Sequence, residues 1–364
     1  MKHGGDILTY FGYERNDITD FSSNINPIGY PKGLETQLIK SFEGLRSYPD
    51  IKYRELKNNL SEYLGCNDSN VIAGNGAVEI IDSFIMSFEK VVVAIPSFSE
   101  YVERASVHNK EILKIGLGMD FIIKPEMFEI VEKGDLVILG NPNNPTGRRI
   151  PKATLLEIYG IISKKNAFLL LDEAFYEFCP IDYDSIQLFQ AYNYKDVGII
   201  RAATKFFGLP GIRLGYCCTD DITAKMISDT QMPWSINSFA AAASEIIFKD
   251  KEFIESSKEY IEIERSYLLN ALAQFKILQA SATEANFILI RLFGVSEEKI
   301  FDFLLERGIL VRKCSSFEGL VGDNIRVAIK SRSDNEKLIN ALLDFEKYCL
   351  DLNYSWCYHQ EEHK

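Results

Sequence analysis

Val197-Gly198-Ile199-Ile200-Arg201-Ala202-Ala203-Thr204-Lys205-Phe206-Phe207-Gly208-Leu209-Pro210-Gly211-Ile212-Arg213-Leu214-Gly215-Tyr216 reads as a buried strand, a Gly- and Pro-bearing turn and a second strand. Lys205 closes the apolar run Val197–Ala203, and Arg213 follows it by eight residues. A lysine at a strand end, screened from bulk water, has its pKa lowered and becomes a nucleophile. A neighbouring arginine repels the protonated amine and offers charge to a bound phosphate. The same letters also suit a surface lysine on a polar turn, so the surrounding chain has to decide.

Upstream, short apolar strands alternate with helix-length amphipathic stretches. The expected strands are Val71–Ala73, Val91–Ile95, Leu136–Leu139, Phe168–Leu171, Val197–Arg201 and Ile212–Cys217. That alternation predicts an α/β fold with a mostly parallel sheet covered by helices on both faces. Ligands of such sheets bind at the carboxyl edge, where the polar loops emerge. Helical patterns precede the sheet at Leu34–Leu45 and Tyr53–Leu64. Beyond Trp234–Ala243 the pattern becomes a smaller α+β unit. It has a helix over Phe253–Gln274, strands near Phe275–Leu278 and Asn286–Leu292, a helix at Glu297–Arg307, strands at Ile309–Arg312 and Ile325–Ile329, and a helix at Asn335–Cys349. The domain reading is an N-terminal arm (1–33), a large α/β domain (34–236), a small α+β domain (237–352) and a polar, fraying tail (353–364).

The 364 residues allow two domains with a sizeable core. Apolar residues make up 46% and charged residues 25%, as in soluble globular proteins. A net charge of -12 argues against nucleic acid or an anionic membrane as partner, so an anionic ligand needs a local basic pocket. No apolar run approaches the ~20 residues that span a bilayer, and Met1–Asp6 carries no signal-peptide core. Seven cysteines without CxxC spacing point to reduced thiols and a cytoplasmic location. Cys357, His359 and His363 could ligate a metal, but a solvated tail is the simpler reading, and no metal is expected. Cys217 and Cys218 should point to opposite faces of a strand.

Four further loops carry chemistry. Gly74-Asn75-Gly76-Ala77-Val78-Glu79 follows a strand and opens a helix, as a phosphate cradle or a plain tight turn would. Phe98 in Pro96-Ser97-Phe98 could stack on a planar ring or belong to the core. In Asn141-Pro142-Asn143-Asn144-Pro145-Thr146-Gly147, prolines aim an amide that can donate to a phenolic oxygen. Leu171-Asp172-Glu173-Ala174 ends a buried strand with a carboxylate that could hold a protonated ring nitrogen or cap a helix.

Taken together, glycine turn, aromatic, Asn-Pro-Thr-Gly, Asp-x-Ala and Lys-x7-Arg resemble the fold-type-I pyridoxal 5'-phosphate enzymes of the aminotransferase class I/II superfamily, over nearly the whole chain. The resemblance implies Lys205 as the Schiff-base lysine and proton shuttle, and Asp172 as partner of the ring nitrogen. It places Asn144 on the ring 3'-oxygen and Phe98 on the ring face. Asn75, Gly76, Ala77, Thr204 and Arg213 would bind the cofactor phosphate. Tyr48 would reach that phosphate from a partner subunit, which implies a homodimer. Arg326 would clamp the substrate α-carboxylate through a bidentate fork. Phe175 and Ala202 stand where many relatives carry hydroxyl groups.

Three strings narrow the branch: His3-Gly4-Gly5, Phe21-Ser22-Ser23-Asn24-Ile25-Asn26-Pro27-Ile28-Gly29 and Pro233-Trp234-Ser235-Ile236-Asn237. They are similar to threonine-phosphate decarboxylases of cobamide (vitamin B12) biosynthesis, although Asp6 replaces the usual Asn. Histidinol-phosphate aminotransferases are the alternative. The resemblance implies that His3, Gly4, Asn24 and Arg312 meet the substrate phosphate, with Arg326 and Asn144 near the carboxylate. An acidic protein that takes a carboxylate and a phosphate on one substrate needs two cationic sites.

Overall fold

Side chains alternate across each strand of the main sheet and so divide its packing into two layers. In the computed structural model, which describes residues 4–11, 18–180 and 182–361, Thr19–Asp20 forms β1. Seven strands follow: β2 (Val71–Gly74), β3 (Lys90–Ile95), β4 (Glu111–Gly116), β5 (Leu136–Gly140), β6 (Phe168–Asp172), β7 (Val197–Ala202) and β8 (Gly215–Cys218). Their order is β2-β8-β7-β6-β5-β3-β4. All pairings are parallel except those of β8, which runs against both neighbours. Val137, Leu169, Leu171, Ile199 and Cys218 face one core, and Ile138, Leu170, Ile200 and Cys217 face the other. The adjacent cysteines thus divide between the faces as their spacing predicts.

Within the main sheet the sequence patterns miss one strand and overextend another. β4 is an edge strand in which only Ile115 is buried, and Lys114 interrupts its apolar residues, so it lacks the continuous apolar run of the interior strands. The strand expected at Ile212–Cys217 begins only at Gly215, because Arg213 sits at φ 59 in the left-handed region, which an extended chain cannot use. Gly215 is needed there: a Cβ would stand 2.3 Å from the Ala77 nitrogen. β8 therefore presses against the start of the helix Ala77–Ser87.

The second sheet comprises β9 (Leu278–Ala280), β10 (Phe287–Leu292), β12 (Arg312–Lys313) and β13 (Asn324–Ala328), in the antiparallel order β12-β13-β10-β9. Between them in the chain, β11 (Ile309–Leu310) pairs in parallel with β1. The arm is thereby stitched to this region, and the Ala328 N–H donates to the Phe21 carbonyl at 2.8 Å. Farther on, the arm grips the loop after β7. The Asn26 N–H donates to the Lys205 carbonyl at 3.0 Å, and Asn26 Nδ2 donates to the Phe206 carbonyl at 2.8 Å. The expected helix over Asn335–Cys349 spans Arg332–Glu361, so most of the expected fraying tail is helical; no Gly or Pro interrupts it. No helix among the described residues is long and apolar enough to cross a membrane.

Candidate active site

A cavity of about 240 Å³ opens at the carboxyl edge of the main sheet, and Lys205 and Asp172 share its lining with residues of the arm and of the second sheet. Asp172 ends β6 and is 8% exposed. Its Oδ2 accepts from the Tyr101 hydroxyl at 2.6 Å and its Oδ1 from the Ala174 N–H at 3.0 Å. Burial raises its pKa, opposed by those two hydrogen bonds and by the charge of Lys205. Glu173, the next residue, points to the opposite side and pairs with Arg201 at 2.9 Å.

Lys205 follows β7. Burial first, then the charges of Arg326 and Arg213, lower its amine to about 8. An amine in that range has an accessible neutral form, which is what nucleophilic attack on an aldehyde requires. Its Nζ lies 6.0 Å from the Phe175 ring centroid.

Arg213 lies over the glycine turn. A Cβ on Gly76 would stand 2.2 Å from Arg213 Nη2, so only glycine lets the guanidinium reach the N-terminus of the helix Ala77–Ser87. The first N–H groups of a helix lack intrahelical acceptors, and here a cation sits beside them. Ala77, Thr204 and Arg213 line the cavity. Asn75 is not among the lining residues; it is exposed, with its N–H on the Glu79 carboxylate.

The second sheet contributes two arginines. Arg312 and Arg326 are register partners on β12 and β13, and both line the cavity. Arg326 donates to the Ser22 carbonyl at 3.0 Å and to Asn144 Oδ1. Burial lowers its pKa to about 10, the largest cause, and Arg312 adds to the lowering. Arg312 donates to Ser316 Oγ at 2.7 Å and to the Lys313 carbonyl at 2.6 Å.

Gly4, Asn24, Phe98 and Asn144 line the same cavity. A Cβ on Gly4 would lie 2.0 Å from the Ser22 oxygen, the carbonyl that Arg326 also holds. Most of the residues singled out in the sequence thus converge; Asn75 and Gly76 adjoin the lining residue Ala77 without lining the cavity themselves, and others lie farther off. Tyr48 is 81% exposed and lies outside the cavity, its ring 4.8 Å from that of Trp234. His3 and His363 lie outside the described residues, and so do the side chains of Cys357 and His359. Sequence reasoning overlooked Tyr101, Ser22, Phe317 and Asp20. Tyr101 had a readable signal: it stands three residues after Phe98, one helical turn away. Asp20 had none, since it acts through Ser22 and Ser23, whose hydroxyls it accepts.

The arrangement offers an amine with a lowered pKa, a buried carboxylate and three arginines to one cavity. These are the requirements of pyridoxal phosphate, and the residues fit it. Arg213 on Gly76 forms a cation at a helix N-terminus, and Asp172 has no ion-pair partner within 4 Å among the described residues. Asn24 Oδ1 and Arg326 Nε are buried without a hydrogen-bond partner among the described residues.

Comparison with known proteins agrees. Residues 16–342 match the family described as aminotransferase class I and II. A provisionally named threonine-phosphate decarboxylase of Caldanaerobacter subterraneus subsp. tengcongensis is 39% identical over 94% of this chain and 93% of its own length. The threonine-phosphate decarboxylase of Salmonella typhimurium is 32% identical, covering 93% of this chain and 95% of its own. Among solved structures, the histidinol-phosphate aminotransferase of Clostridium acetobutylicum superposes with a TM-score of 0.85 at 36% identity, over 90% of this chain and 99% of that one. The chain belongs to the aminotransferase class I and II family and has the fold-type-I architecture.

Proposed function

We propose that this enzyme is a carboxy-lyase acting on an O-phosphorylated amino acid. The substrate is L-threonine O-3-phosphate, with L-serine O-phosphate as the close analogue. The product is an amino-alcohol phosphate for the cobamide nucleotide loop. The observation that carries the reading is the pairing of Arg312 with Arg326 across β12 and β13 at one wall of the cavity. Two anionic groups on one small substrate need two cations at such a spacing. The relatives named as threonine-phosphate decarboxylases support the same choice.

The cofactor is pyridoxal 5'-phosphate, which withdraws electrons from whichever Cα bond stands perpendicular to its ring. Lys205 would hold it covalently and would supply a proton to the substrate Cα. Asp172 keeps the ring nitrogen protonated, Asn144 meets the 3'-oxygen and Phe98 covers a ring face. Asn75, Gly76, Ala77, Thr204 and Arg213 hold the phosphate. Arg326 takes the substrate carboxylate. Arg312, Asn24, Gly4 and His3 take the substrate phosphate. Tyr48 completes the cofactor phosphate site of a second copy, so the working form is a homodimer. The exposed apolar side chains Ile39, Phe42, Tyr48, Met232 and Trp234 support that assembly. The division into arm, large domain, small domain and tail belongs to the same reading, and the reduced cysteines favour the cytoplasm.

The alternative is a histidinol-phosphate-type aminotransferase, favoured by the 36% identity to the Clostridium acetobutylicum enzyme. Incubation with phosphothreonine, phosphoserine, or histidinol phosphate plus 2-oxoglutarate separates the two readings. Carbon dioxide and an amino-alcohol phosphate are expected. Glutamate without carbon dioxide moves the chain to the aminotransferase branch.

A further inference from the structure

Each oxygen of the Asp172 carboxylate receives one hydrogen bond, and the two donors differ in kind. The Ala174 N–H is backbone two residues away, and any residue but proline would supply it there. The Tyr101 hydroxyl comes from the helix Glu100–Val107, 71 residues away in the chain, and reaches Oδ2 at 2.6 Å. Tyr101 is 2% exposed, and its ring stands edge-on to Phe98 with centroids 5.6 Å apart. Both aromatic rings line the cavity. A phenol facing an ionised carboxylate can only donate, and a charge-assisted bond of this length is among the stronger ones in proteins.

We propose that Tyr101 is a positioning residue for the cofactor: its hydroxyl aims the Asp172 carboxylate and keeps it an anion ready for the ring nitrogen. The proposal rests on the pyridoxal phosphate cofactor and holds whether the reaction is decarboxylation or amino transfer. Asp172 needs such support because burial, the largest influence on it, favours the neutral acid. Tyr101 is the largest opposing influence, followed by the Ala174 N–H and Lys205. The phenol remains a donor throughout, because burial and then Asp172 hold its own pKa well above the ordinary value. Few other charges bear on the pair. Lys205 faces Arg326, Arg213, Asp20 and Asp172 itself. Glu173 is turned away and neutralised by Arg201.

Losing the Tyr101 bond raises the pKa of Asp172, so the charged partner of the ring nitrogen disappears at a higher pH. The experiment is pyridoxal phosphate binding to the full-length apoprotein between pH 5 and 8, followed by absorbance and equilibrium dialysis. It is run for wild type and Tyr101→Phe, and again for both in an Asp172→Asn background. In Tyr101→Phe the acid limb of binding is expected to move up by about one pH unit, which is about tenfold weaker binding on that limb. Binding at pH 8 should stay near wild type. In the Asp172→Asn background the same change should cost less than about twofold. An unmoved acid limb overturns the proposal. So does a pH-independent loss of equal size in both backgrounds, which is what simple space-filling by the ring produces. Should Tyr101→Phe fail to fold, 3,5-difluorotyrosine at position 101 keeps the shape and strengthens the donor, and it should move the limb downward; an unchanged or raised limb overturns the idea equally.

Discussion

Arg201 and Arg326 are both buried arginines, and their surroundings are opposites. Arg201 meets two carboxylates, Glu173 at 2.9 Å and Asp184 at 2.7 Å, and lies 3.5 Å over the Tyr176 ring. Those carboxylates hold its pKa well above the ordinary value in spite of burial. Arg326 has no ion-pair partner among the described residues. It rests on a carbonyl and an amide oxygen, leaves Nε orphaned, and its pKa falls. The difference separates a charge that completes the fold from one held ready for an anion. A structural cation brings its own counter-charge, because a lone buried charge is expensive. On the proposed reading, Arg326 is instead left with neutral acceptors that an incoming carboxylate can outcompete.

This contrast breaks most visibly at Arg201. Arg201→Met strands Glu173, which is fully buried, and should cost about 3–5 kcal/mol of stability. Urea unfolding of the apoprotein measures it, and a loss under 1 kcal/mol would mean that the pair is not structural. Arg326→Ala should do the reverse. Removing one partner of a desolvated ion pair costs about 2–5 kcal/mol, so kcat/KM should fall roughly 30-fold to several thousandfold while the urea midpoint holds or rises. A variant that unfolds more easily without losing turnover would erase the distinction. The third case is Lys205, another cation without a neutralising neighbour close enough to offset burial. Its folded pKa of about 8 lies below the ordinary 10.5. The unfolded chain therefore binds more protons between those values, and apoprotein stability should rise with pH from about 8 to about 10.5. The gain is at most roughly 3 kcal/mol, and it should vanish in Lys205→Met. Arg312→Ala sharpens the picture at smaller scale. It should weaken phosphorylated amino acids about tenfold more than unphosphorylated ones, read as the ratio of kcat/KM values. Equal losses would remove Arg312 from the phosphate site.

The parts of the site that were legible in the sequence lie in unbroken strings with their own turn chemistry. Asn141–Gly147, Asp172 at a strand end, and the lysine–arginine spacing around Gly208-Leu209-Pro210-Gly211 are of this kind. Strands with continuous apolar runs were legible for the same reason, since burial on both faces leaves no other composition open to them. What stayed hidden depends on contacts between distant positions. The Arg326 bond to Asn144 spans 182 residues and its bond to Ser22 spans 304, and neither spacing leaves a local mark. β4 was hidden because Lys114 leaves its apolar residues, on an exposed edge, without a continuous run, and the true start of β8 because one left-handed arginine interrupts an otherwise extended pattern.

The antiparallel course of β8 has a consequence for how the site comes together as the chain folds. β7 and β8 form a hairpin in which Ala202 faces Gly215, and both Lys205 and Arg213 ride on its loop. Short loops close quickly, while pairings across long stretches of chain are slow. Lys205 and Arg213 can therefore meet early, as one local unit. The arginines of the second sheet, Arg312 and Arg326, lie roughly a hundred residues farther along the chain and join later. Pulse-labelled hydrogen exchange during refolding should protect amides of the β7–β8 hairpin before those of β12 and β13. On the proposed roles, a folding intermediate trapped at that stage would hold the groups for the cofactor without those for the substrate.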